Sequence, residues 1–154
     1  MNRKRRLEAN KINELKAVFP SVSANEGFAR ASVAAFCSQL NPTATDIADI
    51  KCAISEAVTN CIVHAYKGTI GNIYITVELY DNGVVKMTVR DRGCGIEDVK
   101  AARKPLFTTA AEDERSGMGF TVMESFTDKL SVRSRVGVGT TVVMYKRVGL
   151  FQMI

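Results

Sequence analysis

The sequence predicts an α+β protein in which helices pack on one face of a mostly antiparallel sheet. Apolar and polar residues alternate along two segments joined by Asp81-Asn82-Gly83, which is typical of two antiparallel strands and a tight turn. A longer segment, from about Asp46 to Tyr66, carries its apolar residues on one face of a 3.6-residue period, as a helix does. Because each pattern places its apolar residues on one face, we expect the apolar faces of the sheet and of the helices to pack against each other.

The first third of the chain predicts an edge strand and a helix. Residues 15–22 form an apolar stretch, and Pro20 confines such a strand to the edge of a sheet. Ser23 and Glu26 have the spacing of a capping box, which predicts a helix that continues to Leu40. The residues expected on its inner side are Phe28, Ala31, Ala35 and Phe36.

The next predicted helix, capped by Thr43 or Thr45, is the centre of the fold. Glu56, Asn60 and His64 are spaced i, i+4 and i+8, so they form a row along one flank. An acid, an amide and an imidazole therefore face the same neighbour, although such a row taken alone is typical of a solvated flank. The residues expected on the core face are Ile47, Ile50, Ile54, Val58, Cys61, Ile62 and Ala65.

Four strands and two shorter helices complete the prediction. The strands are expected at residues 73–80, 85–91, 130–135 and 140–147. One helix is expected at residues 96–103, and another is opened by residues 116–120 and carries Phe120, Val122, Met123 and Phe126. Residues 104–116 form a polar connection of a length that is more often functional than idle.

Composition and charge narrow the class of protein. The 154 residues are 46% hydrophobic and 24% charged, which suits one domain with its own core. The net charge is +5, but Arg3, Lys4, Arg5 and Arg6 against Glu8 supply +3 of it, which leaves about +2 elsewhere. We therefore expect a solvated basic terminus and no direct nucleic-acid partner, with a nucleic-acid or membrane-surface contact as the less favoured alternative.

The cysteines and the apolar runs predict the compartment. The 4 cysteines show no C-x-x-C spacing and the chain has 1 histidine, which favours reduced thiols over disulfides or a zinc site. No signal-type or membrane-length apolar run is present, so we expect a cytoplasmic protein without a membrane partner. The expected organisation is a disordered basic extension at 1–12, one domain at 13–147 and a tail at 148–154.

Three further motifs contain candidate binding residues. Asp91 ends a predicted strand and precedes Gly93 and Gly95, a pattern that taken alone is typical of a turn. Gly117-Met118-Gly119 opens a predicted helix, where several backbone N–H groups can point at a phosphate. Thr140 starts the last predicted strand and adds a hydroxyl group.

Read in order, four motifs form one recognisable set. They are the Glu56/Asn60 pair, Asp91-Arg92-Gly93-Cys94-Gly95, Ser116-Gly117-Met118-Gly119-Phe120 and Val138-Gly139-Thr140-Thr141. This set resembles the nucleotide-binding signature of the GHKL family, which includes gyrase, Hsp90-type chaperones, histidine kinases and MutL. Pro105-Leu106-Phe107-Thr108-Thr109 and Glu114-Arg115-Ser116-Gly117 resemble its sporulation anti-sigma serine kinases in particular. The resemblance runs from about residue 15 to residue 146. It implies a GHKL-type (Bergerat) two-layer α/β sandwich with a mostly antiparallel mixed sheet and a mobile ATP lid.

The resemblance also implies ATP and Mg²⁺ as ligands and a role for each site residue. Asn60 would give an oxygen ligand to Mg²⁺, Glu56 would be the general base and Arg115 a second catalytic residue. Asp91 would accept a hydrogen bond from the amino group of adenine. The other implied nucleotide contacts are Gly93, Gly95, Thr108, Thr109, Gly117, Met118, Gly119 and Thr140. The signature does not require His64, which we expect to be a packed helix residue, or Cys94, whose thiol would lie near the base.

The implied function is that of an anti-sigma factor that is also an ATP-dependent serine kinase. A homodimer would hold a sigma F-type factor away from RNA polymerase and would phosphorylate a serine of an anti-anti-sigma factor. Glu26 and Arg30 lie in Asn25-Glu26-Gly27-Phe28-Ala29-Arg30, which matches the family segment that contacts both partners. Without the resemblance they would be a capping acid and an exposed helix arginine.

Other functions within the same family are weighed against this one. The alternative is a nucleotide-gated anti-sigma module with little or no kinase activity. A histidine-kinase fragment would need a dimerisation helix pair and a donor histidine segment, and a gyrase or MutL enzyme would need a transducer domain. None of these additional segments is expected in this sequence.

Overall fold

Residues 9–104 and 116–149 are described by the computed structural model, and their strands form one sheet. The strands are β1 (Lys11–Pro20), β2 (Asn72–Tyr80), β3 (Val84–Asp91), β4 (Lys129–Arg135) and β5 (Gly139–Arg147). Their order is β1-β2-β3-β5-β4, and all four pairings are antiparallel. No parallel pair occurs within these two ranges, where the resemblance implies a mixed sheet. Strands β2, β3 and β5 are interior, and β1 is an edge strand as predicted.

Within these two ranges, four α-helices accompany the sheet. They are α1 (Ala24–Cys37), α2 (Ala44–Asn60), α3 (Val99–Ala102) and α4 (Ser116–Ser125). A 3-10 turn at Ser38–Leu40 follows α1, and a π-helical turn at Cys61–Ala65 follows α2. Helix α2 packs against both α1 and α4, so it is the central helix of the layer. No helix in the described part of the chain is long and apolar enough to cross a bilayer.

The core lies between one face of the sheet and the helices. The predicted alternation is confirmed, because the inward residues of the two central strands are all buried: Ile73, Ile75, Val77, Leu79, Val85, Met87 and Val89. The Asp81-Asn82-Gly83 turn joins these strands, with Gly83 at a φ of 83° that favours glycine. Ile50, Ile54 and Val58 of α2 are buried against this face, as the 3.6-residue pattern predicts.

Helix α2 begins with a complete capping box. The backbone N–H of Asp46 donates to the Thr43 hydroxyl, and the backbone N–H of Thr43 donates to the Asp46 carboxylate. The Asp46 carboxylate also accepts from the backbone N–H of Gly149, which follows β5. Thr43 is therefore the cap, and the start of the central helix is tied to the end of the sheet.

Helix α1 differs from its prediction in its cap and its inner face. Ser23 makes no side-chain capping bond, so the predicted capping box is wrong. Phe28 is 58% exposed, and Ala31 and Ala35 are also exposed, while the buried residues of α1 are Ala29, Val33, Ala34 and Cys37. The apolar residues of this helix surround too much of its circumference for the period to select one face.

The ends of the predicted domain also shift. Strand β1 begins at Lys11, so residues 11 and 12 belong to the sheet and not to a disordered extension. The Asn10 N–H and side-chain amide both donate to the Asp81 carboxylate, which holds the chain in front of β1. Helix α3 is shorter than predicted, and α4 begins at Ser116, within the motif that is predicted to open it. Residues 1–8, 105–115 and 150–154, which include most of the predicted lid and tail, lie outside the described residues.

Candidate functional site

The row of polar residues on the central helix crosses a change of helix type. Helix α2 ends at Asn60, and the following π-helical turn is closed by the Tyr66 N–H donating to the Cys61 carbonyl at 3.1 Å. The predicted row of Glu56, Asn60 and His64 therefore lies on regular α-helix only as far as Asn60, and half-buried His64 belongs to the wider turn. Single π turns within helices are frequently found at functional sites.

The side chain of Asn60 faces the first turn of α4. A Cβ atom on Gly119 would lie 3.0 Å from Asn60 Oδ1 and 3.1 Å from Nδ2, so the glycine lets the two helices approach there. Asn60 is half-buried, and its side-chain amide makes no hydrogen bond with any residue in the described part of the chain. Gly117 and Met118 precede Gly119 in the same turn. An open amide oxygen beside a helix N-terminus fits a hard cation and a phosphate group.

Glu56 lies one turn before Asn60 and close to the candidate partner residues. It is half-buried, and the residue before it, Ser55, has its Oγ 3.4 Å from Nη1 of Arg30. The same Arg30 nitrogen donates to Oε1 of Glu26 at 2.8 Å across one turn of α1. Arg30, one of the predicted partner residues, therefore contacts α2 at Ser55, the residue before the predicted catalytic acid.

The Asp91 carboxylate is buried at the end of β3, with only 6% of the residue exposed. Its Oδ1 accepts the backbone N–H groups of Gly93 at 2.9 Å and Thr140 at 3.2 Å. Its Oδ2 accepts the Cys61 thiol, with an Sγ to Oδ2 distance of 3.6 Å. Since a carboxylate offers about four acceptor positions, one remains, and it is on Oδ2.

Burial sets the protonation behaviour of this group. Burial raises the pKa of Asp91 above its usual value, and the hydrogen bonds from Gly93, Cys61 and Thr140 oppose that rise. Burial, and next the negative charge of Asp91, raise the pKa of the Cys61 thiol well above its usual value. Cys61 is therefore a neutral donor to Asp91, and it links the end of α2 to the end of β3.

The glycines around Asp91 are required by close backbone contacts. A Cβ on Gly93 would collide with the Ala65 carbonyl, and one on Gly139 would collide with the Asp91 carbonyl. Gly95 has a φ of 77° and lies against the backbone of Arg135. Gly93 and Gly95 thus lie in a closely packed turn after Asp91, and their contacts with a nucleotide stay predictions. Their immediate physical role, however, is to pack the chain segments of the site together.

Two residues that the sequence interpretation missed hold this region in place. The buried Tyr66 hydroxyl accepts the Arg92 N–H and donates to the Asn72 carbonyl, both at 2.6 Å, so it fixes the chain just after Asp91. Burial raises the pKa of Tyr66, which stays a neutral phenol. Ser134 Oγ accepts the Ile96 N–H at 2.7 Å and lies 2.7 Å from the Thr140 hydroxyl. A tyrosine at a helix end and a serine in a strand have no sequence signal of their own.

Cys94 is exposed, and its Sγ lies 3.4 Å from the carbonyl oxygen of His64. The thiol thus faces the π-helical turn, at the same end of the sheet as Asp91. Thr108, Thr109 and Arg115 lie outside the described residues, so these three predicted contacts stay predictions.

A groove of about 880 Å³ lies elsewhere in the molecule. It is lined by Thr43 and Asp49 near the start of α2 and by Lys146, whose Nζ donates to Asp49 at 3.1 Å. At a rise of about 1.5 Å per residue, the lining residues from Thr43 to Asp49 lie about 16–25 Å along α2 from Asn60. The groove is a separate feature from the region of Asn60, Gly119 and Asp91.

Comparison with known proteins gives the family of the chain. The family of histidine kinase-like ATPase domains matches residues 19–146. A protein of Caldanaerobacter subterraneus subsp. tengcongensis named anti-sigma F factor is 56% identical over 143 residues, which are 93% of this chain and 98% of that protein. The anti-sigma F factor of Geobacillus stearothermophilus is 51% identical over 134 residues, which are 87% of this chain and 92% of that protein.

Solved structures show the same fold. The RsbU and RsbW domains of a Mycobacterium tuberculosis protein match with a TM-score of 0.65 at 22% identity, covering 89% of this chain and 33% of that one. A histidine kinase domain from Erythrobacter litoralis matches with a TM-score of 0.56 at 17% identity, covering 83% of this chain and 63% of that one. At such identities these structures support the fold alone. The family match and the sequence relatives show that this chain belongs to the histidine kinase-like ATPase domain family and, within it, to the anti-sigma F factor group.

Proposed function

We propose that this protein is an anti-sigma factor that binds ATP with Mg²⁺ and transfers the γ-phosphoryl group to a serine of an anti-anti-sigma factor. The observation that carries the proposal is the close approach of Gly119 to Asn60, the residue before Cys61, whose thiol donates to the buried Asp91 carboxylate. Together these groups, an open amide, a helix N-terminus and a carboxylate acceptor, form the proposed nucleotide cleft. A nucleoside triphosphate with its cation needs such a combination of groups.

The base of the nucleotide is assigned to the Asp91 end of the cleft. The free acceptor position on Asp91 Oδ2 matches the amino group of adenine, which donates hydrogen bonds. Thr140 supports this assignment, because its backbone N–H donates to the same carboxylate. Gly93 and Gly95 line the turn beside it.

The phosphates are assigned to the Asn60 end. The N-terminal turn of α4, with Gly117, Met118 and Gly119, offers backbone N–H groups and the positive end of a helix dipole. Asn60 would hold Mg²⁺, which would neutralise charge on the phosphate oxygens. The resemblance adds Thr108, Thr109 and Arg115 as further phosphate contacts.

Glu56 is assigned the role of general base. The serine hydroxyl of the partner attacks the γ-phosphorus, the bond from that phosphorus to the β–γ bridging oxygen breaks, and ADP leaves with the bonding electrons. Glu56 accepts the hydroxyl proton, for which a half-buried carboxylate one turn from Asn60 is suitably placed. Arg115 would stabilise the charge that develops on the phosphates.

The partners follow from the relatives and from the surface of α1. Relatives that match nearly the whole chain are named anti-sigma F factors, which supports a sigma F-type factor as the bound protein. Glu26 and Arg30 are proposed to contact the sigma factor and the anti-anti-sigma factor. Arg30 also lies against Ser55, next to Glu56, so a partner bound there would be close to the base. A cytoplasmic homodimer remains part of this proposal.

A second function, a nucleotide-gated anti-sigma module with little kinase activity, predicts a different experimental result. The test is to mix the protein with its sigma factor, its anti-anti-sigma partner and γ-labelled ATP. Nucleotide-dependent copurification of the sigma factor together with labelled phosphoserine on the anti-anti-sigma protein is expected. Copurification without phosphoserine would favour the module. Absence of both nucleotide binding and sigma binding would overturn the whole proposal.

A further inference from the structure

Ser134 of β4 makes a three-way contact at the adenine end of the cleft. Its Oγ accepts the backbone N–H of Ile96 at 2.7 Å. The same atom lies 3.0 Å from the carbonyl oxygen of Gly139 and 2.7 Å from the hydroxyl oxygen of Thr140. One side chain therefore joins the segment after Asp91 to the first two residues of β5.

The hydroxyl hydrogens can be assigned by counting donors. Ser134 has one hydroxyl hydrogen, and both the Gly139 carbonyl and Thr140 Oγ1 could accept it. If Ser134 donates to Gly139, Thr140 can donate to Ser134, and all three short contacts become hydrogen bonds. If Ser134 donates to Thr140 instead, the Gly139 contact is lost and the Thr140 hydrogen needs another acceptor. Because Thr140 is only 7% exposed, the first assignment is favoured.

This assignment gives the Thr140 hydroxyl a fixed polarity. Its hydrogen points to Ser134, so only lone pairs of Oγ1 remain for a ligand. Asp91, which accepts the Thr140 N–H, likewise offers only an acceptor at Oδ2. Two neighbouring acceptors without a donor hydrogen suit the amino group at position 6 of adenine and repel the oxygen at position 6 of guanine.

We propose that Ser134 is a positioning residue that sets the preference of the cleft for adenine over guanine, by holding the Thr140 hydroxyl as an acceptor. This inference rests on the proposed nucleotide function and adds a specificity device to it. Ser134 itself acts through Thr140 and need not touch the base. Removing its hydroxyl frees the Thr140 hydrogen to turn and donate to a guanine oxygen.

The test measures the dissociation constants of ATP and GTP, each with Mg²⁺, for the full chain by calorimetry. The expected result for Ser134→Ala is a fall of about tenfold in the ratio of GTP to ATP dissociation constants. Ser134→Thr, which keeps the hydroxyl, should retain the preference. Ser131→Ala in the same strand is the matched control, since Ser131 faces the other side of the sheet.

A double-mutant cycle separates this role from simple packing. In a Thr140→Val background, Ser134→Ala should cause no further loss of preference, because the hydroxyl through which it acts is gone. Should Ser134→Ala be too unstable to assay, Ser134→Cys is expected to show the same loss with a side chain of similar size. A preference in Ser134→Ala and Ser134→Cys within about twofold of the unmodified protein would overturn the inference and leave the proposed function intact. If the unmodified protein bound neither nucleotide, the proposed function itself would fail.

Discussion

Gly119 and Asn60 are in such close contact that a single added methyl group would touch the amide. A Cβ on Gly119 would lie 3.0 Å from Asn60 Oδ1, a separation at which one of the two groups must move by a few tenths of an ångström. The position of the amide is therefore coupled to the start of α4. Substitution at Gly119 tests the proposed cation ligand without removing it.

Gly119→Ala is expected to weaken binding of ATP with Mg²⁺ by about tenfold, because the displaced amide no longer meets the cation in the right geometry. Binding of ATP without Mg²⁺ should change less. Isothermal calorimetry with and without the metal measures both. Gly27→Ala is the matched control, since its Cβ would meet only the far end of Arg30, at 3.8 Å. Equal loss with and without Mg²⁺ would contradict the assignment of Asn60.

Glu56→Gln should keep nucleotide and sigma-factor binding and slow phosphotransfer by about 10²- to 10⁴-fold, since glutamine has the same shape but cannot accept the proton. Single-turnover transfer of labelled phosphate to the anti-anti-sigma partner is the measurement. Glu97→Gln, at an exposed site beyond the Asp91 turn, is the control and should transfer at the normal rate. Transfer at an undiminished rate in Glu56→Gln would remove Glu56 from the role of base.

Asp91→Asn should weaken ATP binding by at least about tenfold. The Gly93 and Thr140 N–H groups hold Oδ1, so they would retain the amide oxygen there and place the NH₂ group where Oδ2 now lies. The new NH₂ group and the amino group of adenine are both hydrogen-bond donors, so they would face each other without forming a hydrogen bond. A titration that gave the same affinity as the unmodified protein would refute the adenine assignment.

Lowering the pH should weaken the binding of ATP while it improves the contribution of Asp91 to folding stability. Burial raises the folded-state pKa of this group, so the folded chain binds the proton more readily than the unfolded chain. The contribution of Asp91 to stability therefore improves as the pH falls through the raised pKa toward the unfolded value of about 3.9. Nucleotide affinity falls over the same range, because a protonated Asp91 loses its acceptor.

This pH dependence is measured as ATP affinity from about pH 7 to about pH 4.5, beside thermal unfolding. Asp91→Asn serves as the reference, because the phosphates of ATP titrate equally in both proteins. A ratio of the two affinities that stayed constant across the range would contradict the role of the Asp91 carboxylate.

Arg30→Ala should leave ATP binding unchanged and weaken binding of at least one protein partner. Its ion pair with Glu26 is exposed, so the loss of folding stability should stay below about 1 kcal/mol. Pull-down of the sigma factor and of the anti-anti-sigma factor measures the effect, with Lys51→Ala on the exposed side of α2 as the control. Normal binding of both partners would exclude Arg30 from the interface.

The sheet was predictable because its signals are local. Strict alternation in β2 and β3 and the Asn82-Gly83 turn fix strand direction and burial at once. Helix α1 was less predictable, because alanines and phenylalanines occur around much of its circumference and its cap uses no side chain. The buried face of α1 is decided by its contacts with α2. The sequence of α1 alone does not specify these contacts.

The candidate site also contains some residues that the sequence predicts and others that it does not. Asn60, Asp91 and Gly119 could be proposed from motifs, since each residue type matches a required chemistry. The roles of Cys61, Tyr66 and Ser134 depend on contacts between segments 26 to 38 residues apart in sequence, so no local pattern announces them. The π-helical turn after Asn60 was likewise hidden, because its residues fit an ordinary helix equally well.

Asp91 and Thr140 are cross-strand neighbours on β3 and β5, two interior strands of the sheet. Interior strands exchange their amide hydrogens slowly, because opening them requires a large part of the domain to unfold. The proposed site for the base would therefore be formed before any ligand arrives, and little conformational entropy would be lost when the base enters it. The proposed cleft would accordingly select a nucleotide first by its base.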